Sequence, residues 1–408
     1  MVTGGIAAPA RRGQPPRLGL LYAVTATGIT VNTFVAPALP EILAGVGGAS
    51  GQAGLIVGAA TLPGVALAPV IGALADRYGR RAVLVPCLVL FGLAGGLAGT
   101  VSSFPALLGL RLLQGVGSAG LVNLVVVLIG DHWQGAERAR LIGRNAAVLT
   151  ACLALTPVLA GALVEAAGWR AAFAPYPLAL LTAAWAARAL PADHGDRSTG
   201  VATQLRRVPL LLATPGLAPI LFAGFLVFAL IFGLLLTVVP IHAEQAFGLS
   251  SAERGVLLGV PALATMSAAL SLGRLRRRFA APTLLVLGSL LLAAALALAA
   301  FAPDPLMLGA AAALFGLGEG TLVPTLQDRV TGLGPPDARG TIVALFVAGS
   351  RLGQTAGPVS AGLVFSAAGP AAAFLAGAGA AALLGLVLTG RSGRGGTDAA
   401  GRNAPTTG

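Results

Sequence analysis

Stretches of some twenty consecutive apolar residues recur along the whole chain, and they leave few folds open. A run of that length, wound as a helix, crosses the roughly 30 Å hydrocarbon core of a bilayer at about 1.5 Å per residue. Twelve such runs can be drawn, at about 18–40, 52–71, 82–101, 105–129, 142–164, 171–190, 216–239, 252–272, 282–301, 305–326, 340–364 and 371–390. With 56% hydrophobic and only 10% charged residues, and a mean hydropathy of +0.88, a water-soluble globule is excluded. The fold class expected is an all-α membrane protein of twelve transmembrane helices in two six-helix pseudo-repeats. The segment after Met1–Arg17 is long and followed by many more like it, so it reads as a first span and not as a cleaved signal.

Between the sixth and seventh runs lies the longest polar connector, from Pro191 through His194 to Arg206 and Arg207. The expected organisation is a cytoplasmic tail at 1–17, a six-helix bundle at 18–190, a flexible linker at 191–215, a second bundle at 216–390 and a disordered tail at 391–408. The net charge of +12 comes from 26 arginines and no lysine. They are spread over short loops and tails rather than gathered in one basic module, which argues against a nucleic-acid partner. With the N-terminus inside, the cytoplasmic segments and the cytoplasmic ends of the spans hold 22 of the 26; Arg170 and Arg254 fall on the outer side, and Arg111 and Arg351 fall deep within spans. That asymmetry predicts a multi-pass protein of the inner (cytoplasmic) membrane with both termini cytoplasmic, the lipid bilayer being its surroundings. Cys87 and Cys152 lie in apolar runs as reduced packing residues, and His132, His194 and His242 make no metal-type spacing, so neither metal nor cofactor is expected.

The two halves are related at a constant offset of 201. Gly54, Gly58 and Gly72 meet Gly255, Gly259 and Gly273; Leu113, Gly115 and Gly117 meet Leu314, Gly316 and Gly318. Arg138, Pro157, Gly161 and Phe173 meet Arg339, Pro358, Gly362 and Phe374. A register kept through several spans points to a parallel six-span repeat.

Between the second and third runs stands Gly72-Ala73-Leu74-Ala75-Asp76-Arg77-Tyr78-Gly79-Arg80-Arg81. The connector is too short for a domain, so the helices form a tight hairpin, and Gly72 and Gly79 suit a turn or a close helix approach. This decapeptide resembles the loop between helices 2 and 3 of major facilitator superfamily transporters. Arg111-Leu112-Leu113-Gln114-Gly115-Val116-Gly117-Ser118-Ala119 is similar to the second motif of that family. Thr156-Pro157-Val158-Leu159-Ala160-Gly161 resembles its antiporter element only in part, since Thr156 and Ala160 replace glycines; Gly168-Trp169-Arg170-Ala171-Ala172-Phe173 resembles the opening of the sixth span in many drug exporters. The resemblance implies a twelve-span drug:proton antiporter working as a monomer, with a small-molecule cargo and protons as its partners.

The resemblance also assigns candidate residues. Asp76, Arg77, Arg80, Asp131 and Arg339, with Gly72 and Gly79, would form a cytoplasmic gate that stabilises the outward-open state. Arg111 would act in proton coupling through its charge, because an arginine within a span costs about 2.5–3.5 kcal/mol unless it faces water or a partner. From the residues themselves, Glu319 is the one carboxylate well inside a span. Loss of hydration favours the protonated form of a carboxyl, which suits a proton carrier. Arg351 in the eleventh span lies at similar depth by residue count, so a Glu319–Arg351 ion pair is expected. Asn32, Thr33, Gln114, Phe225, Phe228, Phe346 and Gln354 are candidate cavity liners, and Pro157 and Pro358 candidate helix bends. Without lysine there is no Walker-type nucleotide loop. A nutrient importer is the competing reading. A membrane enzyme is a weaker one, for want of a nucleophile–base set.

Overall fold

The computed structural model describes residues 15–191, 216–333 and 339–389, with Arg339 described in its backbone alone. Most of the 191–215 linker and of both expected tails, His194 included, lie outside the described residues. The apolar runs are helices, and among the described residues there is no strand. The first crossing is α1 (Leu18–Thr33) and α2 (Leu39–Val46), joined by a 3-10 turn at Ala36–Ala38. Then come α3 (Ala53–Tyr78), α4 (Arg80–Ala98), a crossing split into α5 (Phe104–Ser118) and α6 (Leu121–His132), α7 (Gly135–Ala167) and α8 (Leu178–Ala189). In the second half, α9 (Leu217–Leu230) runs through a π-helical stretch, Ile231–Val238, into α10 (Val239–Phe247). After it stand α11 (Ser251–Leu275), α12 (Ala281–Ala300), α13 (Pro305–Gly332) and α14 (Arg339–Thr389).

Ten helices among the described residues are long and apolar enough to cross a membrane. The last is broken at Gly369 (φ 80°, ψ 176°), and its two arms, with the shorter segment from Trp169 to Ala189, are consistent with the expected twelve. The first and seventh crossings are longer than the apolar runs suggested, reaching Val46 and Phe247, and each changes helix type part-way. Pro37 lacks the N–H that would continue α1, and Thr237 Oγ1 donates to the carbonyl of Phe232 across the wide π turn at 2.7 Å.

The 201-residue register holds in three dimensions. Gly168 and Gly369 share one left-handed backbone conformation, as do Gly47 and Gly248. Within the halves, a Cβ at Gly117 would lie 2.7 Å from the Cys87 carbonyl oxygen, and one at Gly318 would lie 2.9 Å from that of Gly288. Helices in lipid gain little from burying apolar surface and associate through such close backbone approach.

Between the halves the register reappears crosswise. A methyl at Gly54 would overlap the Pro358 carbonyl, and a methyl at Gly255 would overlap the Pro157 carbonyl. One turn on, Gly58 faces the Thr355 carbonyl at 3.2 Å and Gly259 faces the Ala154 carbonyl at 2.8 Å. Two seams, α3 with α14 and α7 with α11, thus close the end of the molecule that carries Gly47, Gly168, Gly248 and Gly369. At the other, arginine-rich end, Gly72 and Gly273 have nothing within 4 Å. The close approach expected at Gly72 is therefore not made in this conformation. Both α7 and α14 continue as helix through Pro157 and Pro358, whose carbonyls serve as contact points of the seams.

Candidate functional site

Arg111 is fully buried in α5, and its partners follow from local spacing and from the break in α1. Gln114 lies one turn on, and its Oε1 accepts from Arg111 Nη1 at 2.6 Å. Asn32, in the last turn of α1, accepts from Nη2, and the Ile56 carbonyl accepts from Nε at 3.3 Å. All three acceptors are neutral. Tyr176 seals the cluster, donating to the carbonyls of Thr30 and Val31 at 3.1 Å and meeting the Phe91 ring edge-on at 5.5 Å. The amide nitrogens of Asn32 and Gln114 are buried without a hydrogen-bond partner. Thr33 is bonded to Thr156 and Thr25 to Asn145, each at 2.7 Å, so this polar face of α1 is pinned to α7. Asn32, Thr33 and Gln114 thus belong to the packed interior of the first half.

Glu319 and Arg351 are not brought together. Gly316 and Gly320 press α13 onto α11, and Glu319 between them accepts from Thr265 of α11 at 3.3 Å. Arg351 points the other way, across the seam to α3, where its Cδ and Nη1 lie 3.6 Å from where a Cβ of Gly64 would be. Among the described residues its one side-chain partner is Gln354 Oε1, at 3.4 Å. Residue counting gives depth along a helix but not azimuth, and here azimuth separates the two charges. Beside Arg351 the seam is polar: Thr355 donates to Thr61 at 3.1 Å, and Thr61 lies 3.2 Å from the Gln354 carbonyl oxygen. Phe346 is buried against Gly224, Phe225 stacks on Phe222 with centroids 6.4 Å apart, and Phe228 packs partly buried on the core. Phe346 against Gly224, and the Phe225 backbone carbonyl against Gly353, hold α9 to α14.

At the arginine-rich end Gly79 turns the chain with φ 94°, so α4 starts directly after α3. Arg80 then reaches Asp76 at 2.7 Å and Asp131, at the end of α6, at 3.1 Å. Arg77 lies over the Tyr78 ring at 5.5 Å. The knot joins α3, α4 and α6 of one half, while the side chain of Arg339 lies outside the described residues.

The closed end holds a cluster that the sequence reading did not single out. Arg254 is fully buried, donates to the carbonyls of Pro37 at 2.8 Å and Leu249 at 2.5 Å, and pairs with Glu41. Glu165 accepts from the Ala252 N–H at 3.1 Å, at the start of α11. These bonds tie the two halves together. The only signal in the sequence was that Arg254 stands on the arginine-poor side. Among the described residues no group of three or more His, Cys, Asp or Glu could hold a metal ion.

The family model of the Major Facilitator Superfamily matches residues 18–283 and 221–405. The chain belongs to the Major Facilitator Superfamily. This superfamily member is 30% identical over 183 residues to the multidrug transporter protein MdtP of Bacillus subtilis (strain 168), covering 45% of this chain and 33% of that protein. It is 27% identical over 243 residues to the bacillibactin exporter of the same organism, covering 57% and 60%. The chain thus spans only a third and three fifths of those two relatives. With the chloramphenicol resistance protein of Streptomyces lividans it shares 29% identity over 350 residues, 84% of this chain and 87% of that one. Among solved structures, a D-xylose–proton symporter superposes with a TM-score of 0.73 at 15% identity, covering 91% of this chain and 97% of that one. A bacterial homologue of the human lysosomal transporter Spinster, in an inward-facing and occupied conformation, superposes with 0.70 at 18% identity, covering 92% and 95%. At such identities these likenesses establish the fold alone.

Proposed function

We propose that this protein is a proton-coupled secondary transporter of the inner membrane that exports small, mostly hydrophobic molecules by alternating access. The observation that carries the reading is the seamed closure at one end, the side on which every hydrogen bond between described residues of the two halves lies. Four glycine-to-carbonyl contacts related by a constant offset hold the halves together, and they can open as a unit if the halves rock. With the arginine-rich end in the cytoplasm, as the positive-inside rule favours, this conformation is open to the inside. Export is supported by the relatives named as exporters or resistance proteins.

In this reading Glu319, bonded to Thr265, is the proton carrier, and Arg111 and Arg351 are fixed positive charges held elsewhere in the spans. Asp76, Arg77, Arg80 and Asp131 form half of a cytoplasmic gate. The other half, at the start of α14 with Arg339, meets it when the halves close on that side.

The test is transport by purified protein in liposomes with an imposed pH gradient, screened over chemically varied compounds. Accumulation in inside-out vesicles with an acidic lumen, abolished by collapsing the gradient, is the expected result. Accumulation only in the opposite orientation would replace the exporter reading with import. Transport indifferent to the gradient would remove proton coupling.

A further inference from the structure

The charged groups within the spans are unequally satisfied. Arg111 has three neutral acceptors packed around it and is sealed from solvent. Glu319 has Thr265. Arg351 has the Gln354 side chain alone, at a long 3.4 Å, and no carboxylate within ion-pair distance among the described residues. It is mostly buried but keeps some exposure.

Its position is as informative as its lack of a partner. Along the α3–α14 seam the contacts run Gly54 to Pro358, Gly58 to Thr355, Thr61 to Gln354, and last Gly64 to Arg351. Every hydrogen bond and ion pair between described residues of the two halves lies at or beyond Thr61 on the closed side. The guanidinium therefore stands one turn past the last hydrogen bond between described residues of the two halves. The missing Cβ of Gly64 leaves room beside its Nε and Nη1. A guanidinium offers five N–H donors in a planar fork that matches a carboxylate, and in a low-dielectric site an uncompensated charge draws in a counter-ion.

We infer that Arg351, with Gln354 beside it, is a subsite for an anionic group on the cargo, so that the transported molecules include amphiphilic organic carboxylates. The inference rests on the transporter reading above and narrows its substrate class. The carboxylate of the cargo takes the place that Glu319 was expected to fill, leaving Glu319 free to carry its proton independently. Outward movement of an anion against inward movement of a proton transfers positive charge inward twice, so a membrane potential negative inside drives export as well as the pH gradient does.

The experiment is equilibrium binding to the full-length purified protein, without any gradient, of matched pairs such as 2-naphthoate with 2-naphthamide and longer alkyl-substituted pairs. The acids are expected to bind at least about tenfold tighter than their amides, as suits a charge-assisted bond. Arg351→Gln should erase that preference, and Arg351→Lys should retain part of it. Gln354→Glu supplies an internal carboxylate, so it should also erase the preference with the arginine still present, which keeps the test valid if Arg351→Gln fails to fold. Equal binding of acids and amides, no binding of any acid, or acid binding untouched by both variants would overturn the inference. So would complete loss of acid binding when phosphatidylglycerol replaces phosphatidylcholine, because the acceptor would then be a lipid headgroup. Acid binding with no gradient-driven transport would instead leave the subsite standing and remove the proton-coupled reading.

Discussion

Glu319 and Arg351 show how far a single residue can be read before packing is known. Their rarity in apolar sequence was visible at once, and so was their depth. Their partners, Thr265 and the cleft at Gly64, were not, because neither is charged and neither is near in sequence. Glu319→Gln keeps the hydrogen bond to Thr265 available while removing the exchangeable proton. We expect gradient-driven transport to fall at least about tenfold, with counterflow of unlabelled against labelled cargo preserved. Unchanged pH-dependent transport would take Glu319 out of the mechanism. Asp76 is exposed and bonded to Arg80 alone among the described contacts. An exposed ion pair of this kind is worth about 0–1 kcal/mol, so Asp76→Asn should leave thermal stability almost unchanged. If the gate reading holds, it should still slow transport, which initial rates at equal protein density would reveal.

The seams are the informative feature at the scale of the element. Repeated glycines in the second, fifth, eighth and eleventh spans were legible as a register, and that register proved to be the geometry of contact between the halves. Which glycine meets which carbonyl was not legible. Gly54 pairs with Pro358 and Gly255 with Pro157, so each half offers a glycine to a proline carbonyl of the other. Replacing Gly54 or Gly255 by Leu should oppose the closed seam by about 1–3 kcal/mol, the range for overpacking. That is enough to shift the balance toward the conformation in which this end is open. Spin-label distances across the two ends would report it as lengthening at the closed end. Gly72→Leu, with open space around it, should leave those distances unchanged.

For the whole molecule, the closed end is held by more than helix contact. Arg254 and Glu41 form the one ion pair between described residues of the two halves, and the Pro37 and Leu249 carbonyls complete the arginine's shell. Removing one member of this pair, of which only Arg254 is fully buried, leaves the other poorly compensated, and here that penalty falls only on the closed conformation. Glu41→Gln should therefore populate the opposite conformation by about tenfold more, read by the same distance measurement. Arg254→Gln should shift it further, since Arg254 is the fully buried partner. If neither variant changes the distances, the pair is a structural bond that persists through the cycle.

From the sequence alone came the helical class, the twelve crossings, the two related halves and the arginine-rich end. Those features depend on hydropathy over twenty-residue windows and on a register kept through 201 positions, both of which are properties of the linear chain. Tertiary structure alone decided that Asn32 and Gln114 serve Arg111, that Phe346 packs on Gly224, and that Glu319 and Arg351 face different helices. It alone decided that Arg254 locks one end. Each of these depends on the rotation of one helix about its axis relative to another. In a chain so rich in glycine and alanine the periodicity of hydrophobic residues leaves that rotation open, and close backbone contact fixes it.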